Sequence, residues 1–471
     1  MSNKTPQVHI YDDLHPEDGA MLQALYSRSP ASVVEHVEKV KNNGSGKFMS
    51  RYYVGYGHAS IGDCGSTNIF IENFSMLAAK AIQDNPLYSG QEASTRYLDF
   101  SVQPMKDPYA HQASRKILDE WMNIYNEYLA KTIDALKVKY PFADSQYKKE
   151  NIWENAIKAR GFDTLRGFLP LGTTTLLSWS SNLRQIRDRL MQIKQHPLQE
   201  VRDMAHVVFE QILKKYPNSF NGNELSENTE WYGAIDKWRS EHAVRDHYVS
   251  PSDLVKQFGI TPLEVDKMIA GGIIIRRDTI NVEKLNQMEA ELLATRPKWA
   301  DLPRRLEAYG RYNLVFLLDF GSYRDLQRHR NGLCQIPLTE GSFGIFPWYM
   351  NELKSLLPAD YGNIAERTHA QFERIKNLSK EGVETDVLLD QYLYPMGTSI
   401  MCQLTYSVPQ MVYVSELRSQ KTVHASLRPI AQKIGTILEE RHPGIALYID
   451  NDPDTFSEKR GTQTIAEQAV A

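Results

Sequence analysis

"FLPLGTTTLLSWS" occupies residues 168–180, and "LYPMGTSIMCQLTYS" occupies residues 393–407. In both, an apolar pair around a proline leads to Gly-Thr and then to an apolar run, so one structural unit is written twice. A second echo sets "IENFSMLAAKAI" before Gln83 against "LLDFGSYRDLQ" before Arg328. The spacing between echoes is not constant, which excludes a solenoid and indicates a diverged duplication with insertions.

Between the copies, "YPNSFNGNELSENT" at 216–229 collects Pro, Asn, Gly and Ser with little apolar content, the composition of a linker. A linker at 221–230 therefore separates a first repeat at 1–220 from a second at 231–471. Apolar residues at Leu118, Met122, Tyr125 and Leu129 recur at helical spacing, and 113–136 reads as one amphipathic helix. Similar patterns cover 183–213 and 365–378. The β-branched and aromatic runs "STNIFIENF" at 66–74 and "NLVFLLDF" at 313–320 read as strands. The class is α+β, with more helix than strand. The stretch 250–277 superficially suggests a helix-turn-helix but lacks a basic face, so it reads as part of a small helical insertion near 250–295.

A chain of 471 residues with a formal charge of −4 has no global field to draw it to nucleic acid or an anionic membrane. Any anion must be held locally. Cys64, Cys334 and Cys402 stand far apart with no CxxC pairing, which supports neither a disulfide framework nor a zinc site, and no metal is expected. The start lacks the charged and apolar runs of a secretory signal, and no stretch reaches membrane-span length, so a soluble cytoplasmic protein is expected. Phosphate-loop, GxSxG and HExxH motifs are absent, and "GYGHASIG" at 55–62 spaces its glycines wrongly for a dinucleotide fold.

Two clusters of charge remain. Arg328-His329-Arg330 reads either as the solvated C-terminal end of a helix, where cations are favourable, or as an anion grip. In "QEASTRYLDF" at 91–100, Glu92, Ser94 and Arg96 alternate, and in an extended loop they would point one way. Arg96 and Ser94 suit a phosphate, and Glu92 suits a ring or sugar donor.

Joined, the clusters resemble the signature of the flavin-dependent thymidylate synthases: Arg-His-Arg, seven variable residues, then Ser-x-Arg-Tyr. The first half keeps the end, Ser94-Thr95-Arg96-Tyr97, but has Asp84-Asn85-Pro86 in the triplet's frame. The second half keeps the triplet but has Ile336, Leu338 and Glu340 in the frame of Glu92, Ser94 and Arg96. Each repeat has lost what the other kept. "GHASIGD" at 57–63 is similar to the family's flavin-contacting segment through His58 and Ser60. Asn182 and Arg184 stand in further flavin frames, Arg166 in a nucleotide-contacting frame, Arg418 in that of the catalytic arginine, and His424 in that of a flavin-contacting histidine.

The resemblance implies two repeats of that family's mixed sheet-and-helix fold packed as a pseudo-dimer, and a homodimer equivalent to a family tetramer. It implies FAD held by His58, Ser60, Asn182, Arg184, Arg328, His329, Arg330 and His424. It implies dUMP held by Glu92, Ser94, Arg96, Arg166, Arg328 and Arg418, with methylenetetrahydrofolate as carbon donor and NADPH as reductant. A hydroxymethyl or other one-carbon transfer to a pyrimidine nucleotide, or a non-catalytic flavin or nucleotide sensor, are the alternatives. None of the cysteines lies in a setting that would activate a thiolate for attack on the ring.

Overall fold

A computed structural model describes residues 9–222, 230–231, 234, 259–288 and 290–462. Most of the linker at 221–230, and residues 250–258 of the insertion, lie outside the described residues. The chain runs through α1 (Pro16–Tyr26), α2 (Val33–Asn43), β1 (Ser66–Ser75), α3 (Met76–Gln83), α4 (Gln112–Lys139), α5 (Glu150–Leu165), β2 (Thr174–Asn182), α6 (Leu183–Ile193) and α7 (Gln199–Lys215). It continues through α8 (Pro262–Ile269), β3 (Ile274–Asp278), β4 (Tyr312–Asp319), α9 (Phe320–Gln327), β5 (Leu333–Gln335), α10 (Pro347–Leu356), α11 (Tyr361–Lys376), β6 (Ser399–Tyr406), α12 (Val408–Arg418) and α13 (Arg428–Arg441). Helices with two small sheets make the fold α+β: β1 pairs β2, and the larger sheet has the order β3-β4-β6-β5.

The chain divides into two compact units whose borders differ from those of the sequence repeats. One comprises Met1–Glu72, Asp84–Glu92 and Leu176–Glu241, and the other Asn73–Gln83, Ala93–Thr175 and His242–Ala471. In the first unit, Leu22 of α1 packs with Val37 and Val40 of α2 in a small apolar cluster. The helical pattern at 183–213 proves to be two helices, α6 and α7, broken at 194–198. Pro197 sits in the break: it lacks a backbone N–H and pushes His196 out of helical conformation.

The second unit is built on β4 and β6, paired antiparallel from Tyr312↔Tyr406 to Asp319↔Ser399. Nearly every residue of both strands is buried, as their near-continuous apolar sequences require. The described part of the insertion is not purely helical. Its Ile-rich run forms β3, which joins β4, and Val265 and Met268 of α8 pack with Ile274, Val315, Leu317 and Met401 in one core cluster. The long helix α4 buries Ile117, Leu118, Trp121, Ile124, Tyr125 and Tyr128 along one stripe. Trp121 donates from Nε1 to the Leu393 carbonyl at 3.0 Å, tying that helix to the second Gly-Thr turn.

Both halves repeat one local grammar, a strand that runs directly into a helix. Asp319 ends β4 because its side chain accepts from the Ser322 N–H at 2.9 Å and caps α9, so the strand stops one residue short of the expected Phe320. Asn182 caps α6 the same way, accepting from Gln185 N–H at 2.8 Å. The two Pro-x-Gly turns bind each other. Leu171 donates to Tyr394 O at 2.9 Å and Met396 to Leu169 O at 2.7 Å. Gly172 donates to Tyr392 O at 2.9 Å and Gly397 to Gly167 O at 2.8 Å. With Pro170 matched to Pro395, the bonds within each pair map onto one another. Such close backbone approach leaves no room for a side chain: a Cβ on Gly172 would lie 2.5 Å from Lys106 O. Among the described residues, no helix is long and apolar enough to cross a membrane.

Gly172→Ala is expected to cost about 1–3 kcal/mol in urea unfolding through forced displacement of backbone. Gly362→Ala, which meets nothing within 4 Å near the start of α11, should leave stability unchanged or raise it by up to about 1 kcal/mol.

Candidate active site

Helix α9 ends at Gln327, so Arg328, His329 and Arg330 leave its C-terminus, and α12 ends on Arg418. Both helices follow the central strands of the larger sheet, which brings their ends together. Arg418 donates from Nε to His329 Nε2 at 2.8 Å and from Nη2 to the Asp325 carbonyl at 2.7 Å. The Asp325 carboxylate lies one turn before the triplet. Its Oδ1 is 3.8 Å from Arg418 Nη1 and 3.7 Å from Arg328 Nε, while its Oδ2 is buried without a hydrogen-bond partner. Burial opposes its ionisation, yet Arg418, Arg96, Arg166 and Arg328 together hold its pKa well below the usual carboxylate range. One carboxylate therefore feels arginines from both halves of the sequence.

Burial, reinforced by Arg418, pushes the His329 pKa down to about 3 against the opposing pull of Asp325. The ring is neutral at pH 7, and its Nε2 accepts the Arg418 proton donor. The triplet is thus more than a solvated helix end. Arg330 also turns inward, donating from Nε to Gln83 O at 3.3 Å.

A second layer stands behind these groups. Arg96 meets Asp163 through Nε at 2.8 Å and Nη2 at 3.2 Å, and also donates to Thr422 O at 3.1 Å. Asp163, fully buried, is shared with Arg460 from the end of the described chain. Arg166 donates to Ser322 Oγ at 3.1 Å and stands 3.7 Å from Asp319 Oδ2, which also accepts from Tyr349 OH at 2.9 Å. His424 is fully buried, edge-on to Trp348 at 4.7 Å, with Nε2 on Asp163 O at 3.1 Å and Nδ1 on Ser426 Oγ at 2.8 Å. Burial drives its pKa far down, so it is neutral too. Five guanidinium groups (Arg96, Arg166, Arg328, Arg418, Arg460) face three carboxylates (Asp163, Asp319, Asp325), and Arg330 adds a further cation, so the cluster holds more cations than anions.

The expected residues fall into two groups. Arg96, Arg166, Arg328, His329, Arg330, Arg418 and His424 share the second unit, whereas His58, Ser60, Glu92, Asn182 and Arg184 belong to the first. The extended loop expected at 92–96 is corrected: Tyr97 N–H bonds Ser94 O at 3.2 Å, and Ser94 Oγ accepts from the Arg96 N–H at 3.3 Å. The segment therefore turns at 94–97 instead of running extended through Arg96. In the first unit, Asn182 is spent on its helix cap, and Arg184 pairs with Asp63 at 2.7 Å. Arg184 and Arg187 line a cavity of about 240 Å³ with Tyr53, Gly57 and Ala59. His58 stacks on Tyr56 at 6.2 Å, and the Ser60 carbonyl accepts from Cys64 Sγ at 3.6 Å.

Sequence reasoning missed the carboxylates Asp163 and Asp319 and the guanidinium of Arg460. Asp319 had a signal, a carboxylate between an apolar strand and a helix; Asp163 had a weaker one, standing one helical turn before Arg166. Arg460 had none. Cys334 and Cys402, far apart in sequence, face each other on adjacent strands as free thiols with Sγ atoms 3.9 Å apart.

Residues 15–218 match the model of a family described as thymidylate synthase complementing protein, the flavin-dependent thymidylate synthase family. Over 421 residues the chain is 25% identical to a UPF0159 protein of Chlamydia pneumoniae, covering 82% of this chain and 76% of the relative. It is 22% identical over 481 residues to UPF0159 protein Ta1429 of Thermoplasma acidophilum, covering 91% and 94% respectively. These alignments run through both halves, whereas the family match covers the first.

His329 generates a pH dependence of known sign. Its pKa is about 3 when folded against an ordinary histidine value of 6.5, so below pH 6.5 the unfolded chain takes up a proton that the folded one refuses. Stability from this group is complete above 6.5 and declines as pH falls toward 3. Between pH 6.5 and 5, above the ordinary carboxylate range, His329→Gln should remove about 2 kcal/mol of the wild-type decline measured by urea unfolding. Equal slopes would show that His329 protonates freely.

Proposed function

With a thymidylate synthase complementing protein module across residues 15–218 as the premise, we propose that this chain methylates dUMP at C5 to give dTMP in the cytoplasm. Methylenetetrahydrofolate is the carbon donor and NADPH the reductant. The observation that carries this reading is that Arg96 from the first half bonds the Thr422 carbonyl, in the segment that follows Arg418, while Arg418 bonds His329 of the triplet, all within one compact unit. The signature divided in sequence therefore has its surviving charges gathered in one place. The exchanged hydrogen bonds between the two Pro-x-Gly turns support reading the repeats as a pseudo-dimer, and by analogy with the family two chains would form a homodimer.

The site's own residues fit an anionic nucleotide. The excess of guanidinium groups over carboxylates suits a phosphomonoester dianion, and neutral His329 and His424 add no charge. Arg96 and Arg166 are assigned to the phosphate, with the Ser94 hydroxyl of the same unit beside Arg96 in sequence. Arg418 is assigned to the pyrimidine ring. Its guanidinium is held at Nε by His329 and at Nη2 by the Asp325 carbonyl, so Nη1 is oriented before substrate arrives. Negative charge developing on the ring during attack on the methylene carbon is then met by a fixed donor.

Residues of each unit also fit FAD. Arg328, 42% exposed at its side chain, and Arg330 offer cationic donors in the second unit, which also holds the neutral His329 and His424. Arg184 at its cavity, with His58, Ser60 and Asn182, offers donors in the first. When bound, the flavin would supply the hydride that reduces the transferred carbon.

Release of tritium from [5-³H]dUMP, with FAD, NADPH and methylenetetrahydrofolate present, tests the reaction. Wild type is expected to release tritium, and Arg418→Ala to do so about 10²-fold more slowly or worse. Undiminished release by the variant would overturn the assignment of Arg418. No release by wild type would overturn the reaction.

A further inference from the structure

The Asp325 carboxylate poses a problem that the charge balance leaves open. A buried, ionised oxygen without a hydrogen-bond donor is costly and uncommon, yet Asp325 Oδ2 is one. Its surroundings are rich in donors that stop short of it. Arg418 Nη1 and Arg328 Nε lie 3.8 and 3.7 Å from the other oxygen, beyond hydrogen-bond distance, and neither Arg418 Nη1 nor the terminal nitrogens of Arg328 have a hydrogen-bonding acceptor among the described side chains. Three valences around this one carboxylate remain unsatisfied: a donor on Arg418, a donor on Arg328 and the acceptor Oδ2 of Asp325.

A planar ligand edge that presents acceptor, donor, acceptor would satisfy all three at once. The imide of a 2,4-dioxopyrimidine does so through one carbonyl, N3–H and the other carbonyl. Cytosine presents acceptor, acceptor, donor and would set its N3 lone pair against the carboxylate. Because Asp325 stays ionised, it accepts only, and the frame has a fixed polarity. A neutral amide here could present either face.

We propose that Asp325 is the base-selecting residue of this site: its free carboxylate oxygen accepts the N3–H of a cyclic imide whose two carbonyls are taken by Arg328 and Arg418. This rests on the reading of the site as a pyrimidine pocket and adds which edge of the ring is read, and by what. The isoalloxazine ring carries the same –CO–NH–CO– edge, so the shared chemistry has two sources that experiment must separate.

Calorimetric titration of the purified full chain tests it with dUMP, dCMP and 3-methyl-dUMP, and in parallel with riboflavin and 3-methylriboflavin. The expected result is that dUMP binds at least about tenfold tighter than dCMP and 3-methyl-dUMP. Asp325→Asn should narrow the gap between dUMP and dCMP, since its amide also donates. If the loss on N3-methylation appears in the flavin pair instead, the imide reading stands and its occupant is the flavin. Equal binding within both pairs, or no binding of either imide, overturns the proposal, and this arm needs wild type alone. The outcome is separable from turnover: selective binding without tritium release would defeat the reaction and keep Asp325's role, while release from dUMP with equal binding of 3-methyl-dUMP would do the reverse.

Discussion

Two short turns that hydrogen-bond to each other hold the site in place. The exchange between 167–172 and 392–397 commits four backbone N–H groups and excludes side chains at Gly172 and Gly397. Arg166 stands immediately before one turn and Gln391 before the other, and the strands leading away carry the remaining groups. Without this pairing, residues from the two halves would have no reason to meet. The two echoed sequences therefore meet through reciprocal backbone bonds, each turn offering the donors and acceptors that the other needs.

Electrostatics then decide which half contributes what. Five arginines of the site have a carboxylate: Asp163 for Arg96 and Arg460, Asp319 for Arg166, and Asp325 for Arg328 and Arg418. Burying guanidinium groups without such partners would cost far more than packing returns. The counterpart frames in the other half have relaxed. Gln391, in the frame of Arg166, accepts from Thr339 N–H at 3.0 Å, and Glu340, in the frame of Arg96, accepts from its neighbour Ser342 N–H at 2.8 Å. One set of frames keeps its charges while the other has become ordinary structure.

Much of this was legible in the sequence because it is local. The apolar runs of β1 and β4, the stripe of α4 and the duplicated Pro-x-Gly turns are patterns within a few residues, and they appear where periodicity puts them. The break at Pro197 was also local and was overlooked because the apolar spacing continues across it. The site was legible only as far as its motifs. Arg96 and Arg328 were paired by complementary losses, but the turn that begins at Ser94 was read as extended chain. Asp163, Asp319 and Arg460 were silent, since contact between residues hundreds of positions apart leaves no spacing to read. Neutral histidines were equally silent, because their protonation is set by burial rather than by neighbours in the chain.

The central claim is that arginines from two diverged halves act as one binding site. A double-mutant cycle between Arg96→Ala and Arg418→Ala, read as dUMP affinity by calorimetry, addresses it most directly. The account predicts losses that fail to add, with a coupling of about 1 kcal/mol or more between residues that share a ligand and a field. Strictly additive losses, or full affinity in either single variant, would contradict it.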